Sequence, residues 1–228
     1  VVPLDGLIES DLEVTNAKDE KMTMGFTDEE VNSFYEAFYN EGKSYGDGKM
    51  YTLPYLKSTE VLYYNKTYFE ANNLQVPETW EEMWALCATI KELENNDKKV
   101  VPLGYDSEAN WFITMTEQRK TPYTSFESPK FLFNTEENRA FVAELKEYYN
   151  KGYFTTKALN GNTYTSKLFN EGAKKDTLRC YMCIGSTGGS SYQAPAQTGG
   201  TDPFEVGVAM IPQETKNEAD YKVLQQGP

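Results

Sequence analysis

Three polar clusters carry the side chains in this sequence best suited to chemistry. Ser58, Thr59 and Glu60 form the first, with Tyr55 just before it. Asp106, Ser107, Asn110 and Trp111 form the second, and the run Gly185 to Ser191, with Ser186, Thr187 and Gly188, forms the third. Hydroxyls, carboxylates and amides pair with ligand hydroxyls, and an aromatic face covers the apolar side of a ring, so together they suit binding of a hydroxylated small molecule. Each group has a plainer reading. Asp106 or Ser107 would cap a helix, Trp111 would fill a core, and the glycine and serine run through Gly199-Gly200 would be a flexible loop.

Catalysis has little to rest on. The chain has no histidine, which removes Ser-His-Asp and Cys-His arrangements and histidine-ligated metals. None of the 35 acidic residues is singled out by spacing as a glycosidase pair. Gly185 to Ser191 lacks both nucleotide fingerprints, G-x-x-x-x-G-K-[ST] and G-x-G-x-x-G, although its backbone N–H groups and hydroxyls suit hydroxyls or an anion. Cys180 and Cys183 form C-x-x-C in what reads as a strand, where positions three apart face opposite sides; with Cys87 they are expected to be buried apolar residues. No cofactor and no metal are expected.

The elements that must position these clusters are legible in outline. Met50 to Tyr55 and Val61 to Tyr64 read as two β-segments broken at Lys57-Ser58-Thr59-Glu60. Asp5 to Lys21 is polar and irregular. Thr27 with Glu30 starts a helix whose face is Val31, Phe34, Tyr35 and Phe38, ended at Gly42. Thr67 to Ala71 is a short helix, and Thr79 with Glu82 opens another lined by Trp80, Met83, Trp84, Cys87 and Ile90. Val100 to Leu103 is a strand whose following loop carries Asp106 and Asn110 into a helix, the position where open α/β sheets bind ligands. Helices follow from Asn134 to Tyr149 and from Thr163 to Glu171, then strands from Leu178 to Ile184 and from Phe204 to Ile211.

A length of 228 residues allows one large domain or two small ones. The net charge of −13 excludes nucleic acid as a favoured partner, because backbone phosphates would be repelled. Seventeen Tyr and 12 Phe could supply stacking faces or ordinary core packing. No apolar run approaches membrane-spanning length.

Three motifs in order carry a family resemblance: G-K-x-Y-x-L-P at Gly48 to Pro54, S-T-E-V-L-Y-Y-N-K at Ser58 to Lys66, and P-E-T-W-E-E-M at Pro77 to Met83. V-P-L-D-G-L-I near the start, F-N-E-G at Phe169 to Gly172 and V-L-Q-Q-G-P at the end add to it. The chain resembles extracellular solute-binding proteins of ABC importers, in the maltose-binding-protein-like sugar-binding branch. This implies a periplasmic-binding-protein-like type II α/β fold seen as an internal piece. Residues 1–57 would be rim and hinge of the first lobe, 58–222 the second lobe, and 223–228 the return crossing. It implies capture of a small solute, most plausibly carbohydrate, delivery to membrane permease subunits, no catalysis, and an extracellular, surface-anchored or periplasmic location.

Implied ligand contacts are Tyr55, Ser58, Thr59, Glu60, Asp106, Asn110, Trp111, Thr187 and Gly188. By alignment on Tyr64-Asn65-Lys66, Ser58 falls at an acidic ligand contact of the maltose binder and Trp111 at an aromatic one. Thr187 replaces a tryptophan that stacks on sugar. That departure points away from a maltose-like pose and toward another sugar or a polyol phosphate.

Overall fold

The computed structural model describes residues 1–227 apart from 126, 129, 172–175 and 196–202. Gly172 of the F-N-E-G motif and the Gly199-Gly200 pair lie outside the described residues. Two compact units result, Val1–Lys57 with Gln226–Pro228, and Ser58–Gln225.

The first unit holds α1 (Asp5–Ile8), β1 (Glu13–Thr15), β2 (Lys21–Thr23), α2 (Asp28–Ser33) and α3 (Glu36–Glu41). Asp5 to Lys21 is therefore not irregular. It contains a helical turn and most of a hairpin, whose turn Asn16 closes by accepting from Lys18 N (2.8 Å) and Glu20 N (3.1 Å). Thr27 and Glu30 form the expected capping box, but the helix does not continue through Phe38. Phe34 and Tyr35 are extended, with ψ of 144° and 122°, and Phe34 turns its ring onto Phe26 and Tyr39. Ring contacts override a helical stretch with no buried face of its own. Met50 to Tyr55 is not a β-segment either. Met50 N donates to Asp5 Oδ2 (3.1 Å) and Tyr51 N to Gly42 O (2.8 Å), so the donors a ladder would need are taken, and Pro54 has none.

The second unit contains β3 (Ser58–Asn65), α4 (Lys66–Ala71), α5 (Trp80–Leu93), β4 (Leu103–Tyr105), α6 (Glu108–Gln118), α7 (Glu136–Asn150), β5 (Phe154–Thr156), α8 (Ser166–Asn170), β6 (Met182–Ser186) and β7 (Val206–Ala209). The chain closes with β8 (Gln225–Gln226). Five strands lie in the order β5-β4-β6-β3-β7, with β4 parallel to β5 and β6, and β3 antiparallel to β6 and β7.

Alternation along the strands divides the side chains between two cores. Leu62, Met182 and Ile184 join Trp80, Met83, Trp84, Trp111, Met115 and Phe141 of α5, α6 and α7. Tyr63 and Cys183 face the opposite side with Leu168 and Phe169 of α8. Cys180 shares that second core, so the two cysteines do not face opposite sides. Cys180 precedes β6, and the two-residue period does not reach it. All three thiols are free and buried, and burial raises their pKa values.

Candidate functional site

Strand direction gathers the polar clusters. Glu60 of β3 pairs with Ser186 of β6, so the start of β3 lies beside the end of β6. Tyr105 of β4 pairs in parallel with Ile184, so Asp106 emerges at the same edge. This is the carboxyl edge of the parallel strands, where open α/β sheets form ligand sites. Ser58, Thr59, Glu60, Asp106, Asn110, Thr187 and Gly188 all stand on or just beyond strand ends here or at the start of α6.

The hydroxyls form a connected group. Thr59 N donates to Thr187 Oγ1 (3.2 Å), Thr187 Oγ1 to Ser58 Oγ (3.4 Å), and the Ser58 and Ser186 hydroxyls bond to each other. Gly188 N donates to Ser186 Oγ (3.1 Å), which fixes the 3-10 turn Thr187–Tyr192 in the Gly/Ser-rich run. Thr59 Oγ1 donates to Leu224 O (3.1 Å).

Glu60 is only 3% exposed. Its carboxylate accepts from the Tyr105 hydroxyl and from Asn110 Nδ2 (2.9 Å). Burial pushes the Glu60 carboxyl above the usual carboxylate range, with those two donors opposing and the Asp106 charge adding to the rise. Burial, with the Glu60 charge second, likewise raises the Tyr105 hydroxyl. An amide that gives Nδ2 to a carboxylate turns its Oδ1 away, and Asn110 Oδ1 has no partner among the described residues.

Asp106 has a positioning task. Its Oδ1 accepts from Thr165 N (2.7 Å), Thr165 Oγ1 (2.8 Å) and Ser166 N (3.1 Å), which anchors the start of α8, while Gln193 Nε2 approaches Oδ2 (3.4 Å). Ser107 caps α6 by accepting from Asn110 N (3.3 Å). Glu108 accepts from Ala158 N (2.6 Å) and secures the turn after β5.

Trp111, an expected contact, is packed within the core. Trp111 is 3% exposed, with Tyr105 stacked at 4.7 Å, Trp80 at 5.7 Å and Phe154 edge-on at 4.9 Å. Its ring faces are covered by the core, which leaves none for a ligand in this arrangement. Tyr55 belongs to the first unit and is exposed. Tyr105 and Gln193 escaped the sequence reading. A phenol closing an apolar strand needs a buried partner, and that need was the available signal for Tyr105.

The model of the family described as bacterial extracellular solute-binding protein matches residues 5–227. The chain belongs to that family. A multiple sugar-binding protein of Streptococcus mutans is 36% identical over 83 residues, which are 36% of this chain and 18% of that protein. An ABC substrate-binding protein from Listeria monocytogenes, solved in complex with cycloalternan, superposes with a TM-score of 0.65 at 19% identity over 95% of this chain and 48% of that one. UgpB from Mycobacterium tuberculosis, in complex with glycerophosphocholine, gives 0.60 at 17% identity over 93% and 47%. The chain thus has the periplasmic-binding-protein-like α/β fold and spans about half the length of these solved structures. Among the described residues no group of His, Cys, Asp and Glu is arranged to hold a metal ion, and no helix is long and apolar enough to cross a membrane.

Proposed function

We propose that this chain captures a small, neutral, polyhydroxylated solute, a carbohydrate, and delivers it to the permease of an ABC importer outside the cell membrane, from a periplasmic or surface-anchored position. Ser58–Gln225 is the second lobe of the binding protein, and Val1–Lys57 with the final residues contributes rim and hinge of the first. The observation that carries the reading is the convergence of Ser58, Thr59, Ser186, Thr187 and Asn110 on one sheet edge in a chain of a solute-binding family.

Charge at that edge favours a neutral ligand over a polyol phosphate. The strand ends and adjoining residues carry Glu60, Asp106 and Glu108 against two cations already engaged, Lys157, whose ammonium lies 3.9 Å from the centre of the Tyr164 ring, and Lys57, which pairs with Glu41 at 2.8 Å. Catalysis by paired carboxylates is disfavoured, because Glu60 and Asp106 are both held by protein donors.

The test is a thermal-shift screen of the protein against neutral mono-, di- and oligosaccharides, polyols, glycerophosphodiesters and short peptides, since a ligand bound only by the native state raises its melting temperature. A shift with one class of saccharide is expected. A shift confined to a phosphodiester or peptide overturns the carbohydrate assignment. Conversion of a saccharide to product overturns pure capture.

A further inference from the structure

Three hydroxyls and two backbone donors meet where β3 and β6 adjoin, and their hydrogen bonds can be counted. Thr59 N–H enters at Thr187 Oγ1, Thr187 donates to Ser58 Oγ, Ser58 and Ser186 bond to each other, and Gly188 N–H enters at Ser186 Oγ. Each hydroxyl has one proton and two acceptor positions. Two bonds among three oxygens use two protons, so one proton remains on the Ser58 and Ser186 pair whichever way their mutual bond runs. If Ser58 donates, Ser186 has both acceptor positions filled and keeps the free proton, while Ser58 keeps one acceptor position. If Ser186 donates, the roles exchange. In both cases two adjacent oxygens offer one donor and one acceptor.

Nothing else among the described residues bonds to these two hydroxyls, and both serines are only partly buried. The neighbouring residue leaves them uncovered. A Cβ built on Gly188 would stand 3.4 Å from Ser186 Oγ and 3.7 Å from Ser58 Oγ. We infer that the Ser58 and Ser186 hydroxyls together bind a vicinal diol of a neutral ligand. One ligand hydroxyl donates to the free acceptor position, and its neighbour accepts the remaining proton. A phosphate oxygen only accepts and would satisfy half of the pair. This assignment rests on the carbohydrate reading and specifies the chemistry of its contact.

Calorimetric titration of the protein with maltotriose, xylotriose, ribitol and phosphocholine, which has a phosphate and no diol, tests it. Gly188→Ala is the decisive variant, because it keeps every bond of the cluster and its methyl group makes ordinary contacts while crowding the pair. Binding of at least one neutral probe is expected, weakened about tenfold or more by Gly188→Ala and by Ser186→Ala, with Ser186→Thr retaining it and the Gly188→Ala melting temperature unchanged. Binding of that probe by the Gly188→Ala and Ser186→Ala variants as tightly as by the parent overturns the diol site and leaves the carbohydrate reading intact. Binding of phosphocholine alone, or of no neutral probe, overturns both.

Discussion

The Tyr105 hydroxyl donates to the buried Glu60 carboxylate across the β4 and β3 strand ends, and Asn110 Nδ2 binds the other carboxylate oxygen at 2.9 Å. A buried carboxylate deprived of a donor loses the hydrogen bond and keeps its desolvation cost. Tyr105→Phe should therefore destabilise the protein by about 1–3 kcal/mol, read as a lower urea midpoint with an unchanged slope. A variant as stable as the parent would show that the contact contributes nothing net.

The same carboxyl sets a pH dependence. Its native pKa is raised from the ordinary 4.5 by burial, so above 4.5 the native state retains a proton that the unfolded chain releases. Stability linked to Glu60 is fully present below that ordinary value and is lost as pH rises through the native one. Glu60→Gln abolishes this linkage while every other titrating group stays. As pH falls from neutral toward 4.5, the parent should gain stability relative to Glu60→Gln in paired denaturant titrations. A constant difference across the series would remove the linkage.

How much of this was legible in the sequence depends on distance along the chain. Both capping boxes, Thr27 with Glu30 and Thr79 with Glu82, formed as local chemistry dictates. The Val61 to Tyr64 part of β3 and the α5 stripe followed from run length and helical spacing, whereas Ser58 to Glu60, read as a break between two segments, opens the strand. Where tertiary contacts compete, local reading failed. Phe34 left its helix for ring contacts, and Phe154 to Thr156 became β5 although three residues carry no period. The site divides the same way. Polar residues at strand ends were visible one by one, but the pairing of Glu60 with Ser186, 126 positions on (186 − 60), is a register that no local pattern encodes. Trp111 has the residue type of a sugar platform and the burial of a core residue.

That burial makes Trp111 a stability residue. Trp111→Ala should cost roughly 3–5 kcal/mol, because Tyr105, Trp80 and Phe154 all lose a packing partner. Trp111→Phe keeps part of the stack and should lower the melting temperature while leaving saccharide affinity within about threefold, a difference well under 1.4 kcal/mol. Loss of affinity in a Trp111→Phe protein that melts like the parent would place the indole in the ligand site after all.

Away from the polar edge, Arg179 is 3% exposed and pairs with Glu94 at 2.9 Å and Asp97 at 3.6 Å. Losing one hydrogen bond to a buried charged group typically costs about 1.5–3 kcal/mol. Glu94→Ala should approach that loss. Asp97→Ala should cost far less, because its side chain is 38% exposed and its contact is longer. Equal losses in the two variants, compared by urea unfolding, would contradict this ranking.

The β3 and β7 pairing rests on a glycine covered by a ring. Tyr64 and Gly207 are cross-strand partners, and a Cβ on Gly207 would fall 2.1 Å from Tyr64 Cζ, far inside contact distance. Tyr64 also packs against Phe69 at 4.9 Å, so it cannot swing away without leaving α4 partly uncovered. Gly207→Ala should therefore cost about 1–3 kcal/mol, the usual penalty of overpacking, or about 2–4 °C of melting temperature for each kcal/mol in a chain of this size. Pairing it with Tyr64→Ala separates the causes. If the clash is responsible, the double variant will be no less stable than Tyr64→Ala alone; a further loss in the double variant would assign the cost to the backbone at position 207 instead.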